Sequence, residues 1–307
     1  MRYLKFFVEM FALFISCVYL CSAKAIKGMN MKEMRFTKMH GAGNDYIYIN
    51  CMDSCPEDLG KLSERLSDRH KGIGSDGLVA ILPSTVADFR MRMFNADGSE
   101  GRMCGNASRC IAKYVYEKGL TDKEEITLET LSGIKVLRLK VVEGEVVSVT
   151  VDMGEPVLEP SLIPVKSDSI KNIVVTACGA DYSLTAVSMG NPHGVIFCDN
   201  PATIDIHSIG KEIEVNPIFP ERANIEFASV VGSEELKMRV WERGSGETMA
   251  CGTGACATLV AGALNGKCSR KAVIHLLGGD LSIEWAADNH VYMTGPAEIA
   301  FEGVVKI

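Results

Sequence analysis

The chain has 307 residues, of which 47% are hydrophobic and 23% are charged. This length and composition indicate a soluble globular protein with room for two domains. The formal net charge of −7 and the lack of a basic block argue against nucleic acid or an anionic membrane as a partner, and we expect no stable membrane association.

The eleven cysteines are an odd number, and their spacing forms no disulfide framework. In a chain of this length, such usage favours a reducing compartment. Cys51 and Cys55 flank a turn, but no second Cys or His pair with zinc-like spacing follows them, so we expect no metal site. Five others are interpreted as small buried side chains: Cys110, Cys178, Cys198, Cys256 and Cys268.

The start of the chain has two interpretations. Arg2 and Lys5 precede an apolar run, Met10 to Leu20, and small residues follow it, which is typical of a secretory signal with its cleavage site. The run is too short to predict a membrane span. In the alternative, this upstream start is not used and the protein begins at Met31 or Met34.

In chain order, the first half begins with a strand, a glycine turn and a strand over Met34 to Asn50, followed by helical spacing from Asp58 to His70. A glycine turn and an apolar strand come next, and ADFRMRMFNADGS then alternates as a strand that ends in a turn. A helix is predicted over Asn106 to Lys118, stopped by Gly119. Three strands complete the unit: ITLET, IKVLRLKVV and VVSVTVDMG.

The glycine string GIGSDG, Gly72 to Gly77, matches the pattern G-x-G-x-x-G of dinucleotide-binding proteins. In those proteins the string follows a strand and opens a helix. Here a helix precedes it and a strand follows, so we interpret it as a tight turn.

The second half repeats this order of elements at a fixed offset of 147 residues. RMRMFNADGSEGRMCGNA, which contains Cys104, aligns with KMRVWERGSGETMACGTG, which contains Cys251, and Gly119 aligns with Gly266. A register held without insertion over this distance indicates an internal duplication that produces two similar domains. The second copy of the helix, TGACATLVAGALNG, is apolar on all faces and should be buried.

The predicted fold class is therefore α/β of the α+β kind, with two pseudo-symmetric domains that each wrap a mostly antiparallel sheet against one helix. The first domain is expected over residues 34–151, completed by a C-terminal strand at 297–307. The second is expected over 152–296, and residues 1–33 form an N-terminal extension.

Cys104 and Cys251 each stand directly before a helix and are followed by Gly. The first N–H groups of a helix can hold a carboxylate, and the same partial positive charge favours thiolate, so we expect the pKa of both thiols to be lowered. Helix starts related by a pseudo-twofold axis would face each other across a cleft. One sulfur could then remove a proton from a carbon while the other delivers one to the opposite face. This arrangement predicts proton abstraction next to a carboxylate, with no metal involved.

Other uses of two cysteines fit less well. A single free Cys is usually a small buried side chain, but the shared register and the helix-start position argue against that role for Cys104 and Cys251. Neither residue has the C-x-x-C neighbour of a redox pair. A cysteine hydrolase would need one nucleophile with a His base rather than two symmetric thiols.

Five motifs, KMHGAGNDY, FNADGSEGRMCGN, GNPHGV, PERANIEF and ERGSGETMACGTGA, occur in an order that resembles the diaminopimelate epimerase family. The resemblance covers Met34 to the C-terminus. It implies two closed sheets, each around a central helix, and a cofactor-independent isomerase that interconverts LL- and meso-2,6-diaminopimelate. It also implies a role in lysine and peptidoglycan precursor synthesis, a cytoplasmic location and a homodimer. The leader-like residues 1–25, if real, would instead indicate export.

The same resemblance implies roles for individual residues. Cys104 and Cys251 match the catalytic base and acid, and His193 and Glu242 match positions that tune the thiols. The residues that match substrate-binding positions are Asn44, Asn95, Asn191, Asn224, Glu242 and Arg243, together with the N–H donors Gly105, Asn106, Gly252 and Thr253.

Taken singly, most of these residues have ordinary explanations. Asn44 or Asn191 would usually be a turn residue, and His193 would more often be structural. The duplication adds weight, because Asn44 aligns with Asn191 and Asn95 aligns with Glu242.

Two positions differ from the pattern that the resemblance brings with it. Gly77, which aligns with Asn224, stands where some relatives carry Gln, so any substrate contact there would have to come from backbone. Ala107 stands where Gly is often found after Cys-Gly-Asn, a small change that we expect to be tolerated.

Two other functions remain open at this point. A proline or hydroxyproline racemase would also use facing cysteines, although the asparagine set and GNPH favour a substrate with a second amino-acid head. A non-catalytic amino-acid-binding protein would keep the fold and the ligand but would exchange no α-proton.

We predict that the native protein begins at Met31 or Met34, because the facing thiols would be at risk of forming a disulfide in an oxidising compartment. N-terminal mass spectrometry of the native protein measures this directly. A processed terminus at or near Ala23 would instead support export.

Overall fold

A computed structural model describes residues 33–307, so both interpretations of the leader-like segment lie outside the described residues. Residues Phe36–Glu302 form one compact unit, and the described residues 33–35 and 303–307 fall outside it. This unit contains the whole of the cavity onto which Cys104 and Cys251 open.

The strands of the described chain follow one another with few helices between them. In order, they are β1 (Glu33–Gly41), β2 (Asn44–Asn50), β3 (Gly77–Leu82), β4 (Phe89–Asn95), β5 (Glu100–Gly101), β6 (Glu125–Thr130), β7 (Gly133–Val142), β8 (Glu145–Asp152), β9 (Ile173–Ala177), β10 (Ala180–Ser188), β11 (Pro192–Phe197), β12 (Asn224–Gly232), β13 (Glu235–Glu242), β14 (Gly246–Glu247), β15 (Lys271–Leu276), β16 (Gly279–Trp285), β17 (Val291–Gly295) and β18 (Glu298–Lys306).

The α-helices within residues 33–307 are α1 (Leu59–Ser67), α2 (Gly105–Glu117), α3 (Ile206–Glu214) and α4 (Gly252–Leu264), with a short 3-10 turn at Pro201–Thr203. The helix α1 is shorter than the predicted Asp58 to His70. Asp58 caps its start by accepting from the Lys61 N–H, and Asp68 accepts from the N–H groups of the next turn, which ends the helix. None of these helices is long and apolar enough to cross a membrane.

The duplication is visible in the elements themselves. Both bounds of α3 lie 147 residues after those of α1, and the same holds for α4 relative to α2. Strand pairing also repeats. The strands β2 and β3 are parallel, as are β4 and β6, and the equivalent pairs β11 with β12 and β13 with β15 are parallel too. Most other neighbours are antiparallel, which confirms the predicted α+β fold of two pseudo-symmetric copies.

The two copies share one sheet, and one of two hydrophobic clusters includes residues of both. The strand β8 of the first pairs antiparallel with β17 of the second, placing Val151 opposite Met293. A hydrophobic cluster includes Ile111 of α2 and Leu259 of α4. The division of the chain at residue 151 stays a proposal. The edge-to-face contact of Phe36 in β1 with Phe301 in β18, at 5.9 Å between ring centroids, supports the part of it that assigns the last strand to the first domain.

The central helices account for most of the predicted burial. Ten of the thirteen residues of α4 are buried, as its uniform apolarity predicted. Cys110 and Cys256 are fully buried, and Cys198 and Cys268 are partly so. The prediction was wrong for Cys178, which is exposed and donates to Glu212 at 3.4 Å.

We predict that Leu259→Ala lowers the free energy of unfolding by about 2–5 kcal/mol, because it leaves a cavity beside the central helix of a tightly packed core. Urea unfolding followed by circular dichroism measures the loss. Leu162→Ala is the matched control, since Leu162 is 69% exposed and should change stability by no more than about 0.5 kcal/mol. Equal losses in the two variants would contradict the assigned core.

Candidate active site

A cavity of about 510 Å³ opens where the two copies of the duplicated unit meet. It is lined by most of the residues that the sequence singled out: Asn44, Asn95, Cys104, Gly105, Asn106, Asn191, Glu242, Arg243, Cys251, Gly252 and Thr253. Two of the predicted residues, Asn224 and His193, do not line it. Both are buried behind residues that do.

Each cysteine is the N-cap of one central helix. Both backbones are extended at the cap, and each sulfur accepts from an N–H of the first turn. The Ala107 N–H donates to Cys104 Sγ at 3.5 Å, and the Gly254 N–H donates to Cys251 Sγ at 3.4 Å. The placement of both thiols at helix starts is thus as the sequence predicted, and the neighbouring N–H groups of each turn remain available to an anion.

The starts of α2 and α4 approach each other closely. Asn106 of α2 donates through Nδ2 to the carbonyl of Ala250, the residue before Cys251, at 3.3 Å. A Cβ at Gly105 would lie 2.4 Å from Met293 Cε, and a Cβ at Gly252 would lie 3.0 Å from Met293 Sδ. One methionine side chain therefore fills the space between the two turns, and a side chain at either glycine would require Met293 to move.

Asn44 anchors the surroundings of Cys104. Its Oδ1 accepts from Cys104 Sγ at 3.4 Å and from Asn106 Nδ2 at 3.3 Å. Its Nδ2 donates to Asp76 Oδ2 at 2.8 Å, which fixes the orientation of the amide. The Asp76 carboxylate, which comes from the GIGSDG turn, was not predicted from the sequence as a support of the site.

Acidic groups surround Cys251 instead. Glu242 accepts from the Thr248 hydroxyl and is within hydrogen-bonding reach of the Cys251 thiol. Thr253 Oγ1 lies 3.4 Å from Cys251 Sγ. Burial raises the pKa of Glu242, and the bonds from Thr248 and Cys251 lower it.

The expectation that helix starts lower both thiol pKa values is wrong. Burial is the largest effect and raises the pKa of Cys104 and Cys251, the latter well above its usual value. The N–H groups of the first turns act in the predicted direction but do not outweigh burial, and the Glu242 carboxylate raises both values further. Sequence reasoning counted the helix ends, which are local, but not the depth at which the tertiary fold places them.

Behind the Cys251 side, the predicted His193 forms a buried pair with Glu226, a residue that sequence reasoning missed. His193 Nδ1 is 2.7 Å from Glu226 Oε1, and both side chains are fully buried. The other ring nitrogen lies 3.1 Å from Asn191 Oδ1, so the pair orients the cavity-lining amide. Glu226 Oε2 has no hydrogen-bond partner among the described residues, which is unusual for a buried carboxylate.

The alignment of the two copies contains a signal for Glu226. Position 226 aligns with Val79, and Gly254 aligns with Ala107. A Cβ at Gly254 would lie 2.7 Å from Glu226 Oε1, so the glycine leaves the space that the carboxylate fills. The first copy has an apolar side chain at both positions. The change from Val79 to Glu226, together with the change from Ala107 to Gly254, could therefore have been recognised by comparing the two copies.

Asn224 supports the Glu242–Arg243 turn rather than the cavity surface. Its Oδ1 accepts from the Arg243 N–H at 2.7 Å. The Arg243 side chain is exposed and donates to the Glu221 carbonyl at 2.9 Å. At the position aligned with Asn224, a Cβ on Gly77 would lie 2.0 Å from the Phe94 carbonyl oxygen, so a side chain there would require the backbone to shift.

Other side chains complete the lining of the cavity. Four methionines contribute apolar surface, and Lys135 and Glu155 are charged. The methionines are Met93, Met103, Met153 and Met189. Such unbranched side chains adapt to irregular ligands, but their isolated positions gave no sequence signal. Within residues 33–307, no group of three or more His, Cys, Asp or Glu is arranged to hold a metal ion.

Comparison with known proteins identifies the family. The model of the diaminopimelate epimerase family matches residues 36–159 and 185–300. The chain belongs to the diaminopimelate epimerase family. A protein named diaminopimelate epimerase from Acetivibrio thermocellus is 57% identical over 277 residues, which cover 89% of this chain and 99% of that protein. The chain is accordingly an isomerase of this family.

Solved structures at lower identity share the fold. A PhzF-family phenazine biosynthesis protein from Bacillus anthracis superposes with a TM-score of 0.65 at 17% identity, covering 90% of this chain and all of that one. A hydroxyproline epimerase from Agrobacterium vitis, solved with trans-4-hydroxy-L-proline, gives a TM-score of 0.64 at 15% identity, covering 90% and 92%. At these identities the likeness extends to the fold alone, and the diaminopimelate epimerase family is distinguished by its sequence motifs.

We predict that Glu226→Gln lowers the apparent pKa of Cys251 by about one pH unit, because it removes a negative charge that raises this pKa while keeping the side-chain shape. The pH dependence of iodoacetamide alkylation at Cys251, followed by peptide mass spectrometry, measures the change. Glu234→Gln, at an exposed position, is the control. A Cys251 profile that is unmoved or displaced to higher pH would contradict the electrostatic role of Glu226.

Proposed function

We propose that the protein interconverts LL- and meso-2,6-diaminopimelate by two-base proton transfer between Cys104 and Cys251. The observation that carries the proposal is the convergence of two cysteine-capped helix starts on one cavity. The membership of the chain in the diaminopimelate epimerase family supports the choice of substrate.

The chemistry of the cavity suits an amino acid with two zwitterionic heads. At the reacting head, the N–H groups of Gly105, Asn106, Gly252 and Thr253 can donate to the α-carboxylate. Arg243 offers a guanidinium to the carboxylate of the distal head, and Glu242, beside Cys251, offers an acceptor to an ammonium. Asparagine side chains can serve either charged group because each both donates and accepts. The methionine walls suit the methylene chain between the heads.

The reaction needs one thiolate and one thiol. The thiolate takes the α-proton, and the electron pair of the broken C–H bond stays on the carbon and is delocalised into the carboxylate. The thiol then gives its proton to the opposite face of the carbon. The two sulfurs have exchanged charge states, so the sequence of steps is balanced without a cofactor or an external oxidant. N–H donors at the carboxylate stabilise the charge that develops there.

Burial of the two cysteines opposes this reaction, because it disfavours the thiolate that must take the proton. Both thiols favour the protonated form, so one of them must be stabilised as the anion. The ammonium of a bound amino acid can supply part of the stabilisation, because a positive charge close to a thiolate lowers its pKa. His193 and Glu242 are proposed to tune the Cys251 side, through Asn191 and through direct contact with the thiol, respectively.

The wider setting is proposed on the same basis. The reaction would serve lysine and peptidoglycan precursor synthesis in the cytoplasm, where free thiols are maintained. We further propose that the protein acts as a homodimer. Light scattering coupled to size-exclusion chromatography measures the mass in solution, and a single 33.3 kDa species would contradict the dimer.

We predict that Cys104→Ala and Cys251→Ala each reduce inversion of diaminopimelate by at least about 100-fold, because each removes one of two required proton carriers. Chiral chromatography of each pure stereoisomer after incubation in D2O measures inversion and α-deuteration together. Cys178→Ala is the control, since this cysteine is exposed and lies outside the cavity lining.

Unchanged turnover in either active-site variant would contradict the two-base assignment. If deuterium entered proline or hydroxyproline but not diaminopimelate, the proposed substrate would be wrong and the protein would be a proline or hydroxyproline racemase. Binding without exchange in the unmodified protein would indicate a non-catalytic amino-acid-binding protein.

A further inference from the structure

Arg109, in the second turn of α2, is a buried cation without a carboxylate partner. Its side chain is fully buried, and no Asp or Glu among the described residues forms an ion pair with it. Buried arginines are normally paired, because an isolated charge removed from water is costly. The arginine does not line the cavity, so its charge is not explained by direct contact with a ligand.

The guanidinium lies next to the two turns that contain Cys104 and Cys251. Its Nε donates to the Pro296 carbonyl at 3.1 Å, and one terminal nitrogen donates to Asn106 Oδ1 at 2.8 Å. The other terminal nitrogen lies 3.6 Å from Met293 Sδ. Met293 is the side chain that fills the space between Gly105 and Gly252, so the guanidinium borders the point where the two helices approach.

Asn106 connects this cation to both cysteines. With Oδ1 held by Arg109, its Nδ2 points toward two acceptors, Asn44 Oδ1 and the Ala250 carbonyl, each at 3.3 Å. Asn44 Oδ1 also accepts from Cys104 Sγ, and Ala250 precedes Cys251 in the chain. The orientation of one amide therefore connects the guanidinium to the turns of both thiols.

We propose that Arg109 is a positioning residue that fixes the two cysteine turns relative to each other through Asn106 and provides the buried positive charge that the shared thiolate requires. The inference rests on the proposed two-thiol reaction and extends it. Before and after each inversion the two sulfurs share one proton and carry a single negative charge; between the two proton transfers both are protonated and that charge lies on the substrate. One permanent cation beneath both turns matches that charge without changing its protonation state.

The groups facing Arg109 agree with this assignment. They are thiols and a phenol rather than carboxylates: Cys104, Cys110, Cys256 and Tyr48. Burial raises the pKa of Cys104, and so does Glu242, whereas the first-turn N–H groups and the Arg109 guanidinium lower it. The position that aligns with Arg109 in the second copy is Cys256, so the described site contains one such cation and not two.

The test uses the full-length protein with Arg109→Gln, which removes the charge but keeps a donor, and Arg109→Lys, which keeps the charge but not the fork. The pH dependence of iodoacetamide alkylation at Cys104 and Cys251 is followed by peptide mass spectrometry.

Arg109→Gln should raise the apparent pKa of Cys104 by at least about one pH unit. The inversion rate at neutral pH should fall about tenfold or more, since one pKa unit is a factor of ten in the ionised fraction. Arg109→Lys should restore the Cys104 profile at least in part. Arg138→Met, which removes an exposed arginine, is the control.

Unchanged alkylation profiles and an unchanged inversion rate in Arg109→Gln would overturn the proposal. If that variant does not fold, Arg109→Lys decides the matter, because a lysine cannot keep both the Pro296 and the Asn106 bonds and should still lower the inversion rate. An inversion rate and a Cys104 profile that both match the unmodified protein in Arg109→Lys would then overturn the proposal. A displaced Cys104 profile in a protein that inverts no diaminopimelate would uphold the role of Arg109 and reject the proposed substrate.

Discussion

The convergence of two helix N-termini on one small space is the constraint on which the rest of the site depends. The positive ends of α2 and α4 repel each other, and the repulsion grows as the ends are buried away from water. Bringing them together becomes favourable when negative charge is placed at or near the junction. The buried carboxylates of Glu226 and Glu242 supply part of it, and a bound carboxylate would supply more. The same field that makes the junction costly makes it selective for an anionic group.

The duplication produced two copies with the same order of elements, and the residues around each thiol have since diverged. The cysteine, the following glycine and an asparagine, Asn44 in one copy and Asn191 in the other, are retained in both copies. Around them, Tyr46 aligns with His193, Asn95 with Glu242, and Val79 with Glu226. At these three positions the second copy has two carboxylates and a histidine, whereas the first has uncharged side chains, and the Arg109 cation comes from the first copy. The two sulfurs therefore occupy similar backbone positions in unlike electrostatic surroundings.

Much of the fold and the centre of the site could be predicted from the sequence, because both repeat. Alternating strands and the helix spacing gave the elements, and the constant register located Cys104 opposite its counterpart in the second copy. The helix α3 was not identified from its own pattern, although the alignment with α1 gives both of its bounds. The direction of the thiol pKa shifts was predicted wrongly, because it depends on how deeply the tertiary fold buries the helix ends.

The supporting residues were the hardest to foresee. Glu226 alternates within a strand like any outward-facing carboxylate, and Arg109 lies among helical residues where a surface charge would be ordinary. For Arg109 only the packing shows that the side chain turns inward, whereas Glu226 is marked by its alignment with Val79 of the first copy. Asp76 belongs to a turn whose pattern suggested nothing beyond a change of direction, and it supports the site by holding the Asn44 amide.

The constant register also bears on ancestry. A half-length chain with one central helix and one thiol at its start could have built the same cavity only by pairing with a copy of itself, and every amino-acid change would then have altered both halves at once. Joining the halves in one polypeptide, with β8 hydrogen-bonded to β17 across the join, removed that restriction. Each half could then acquire its own charges while the backbone frame stayed common to both.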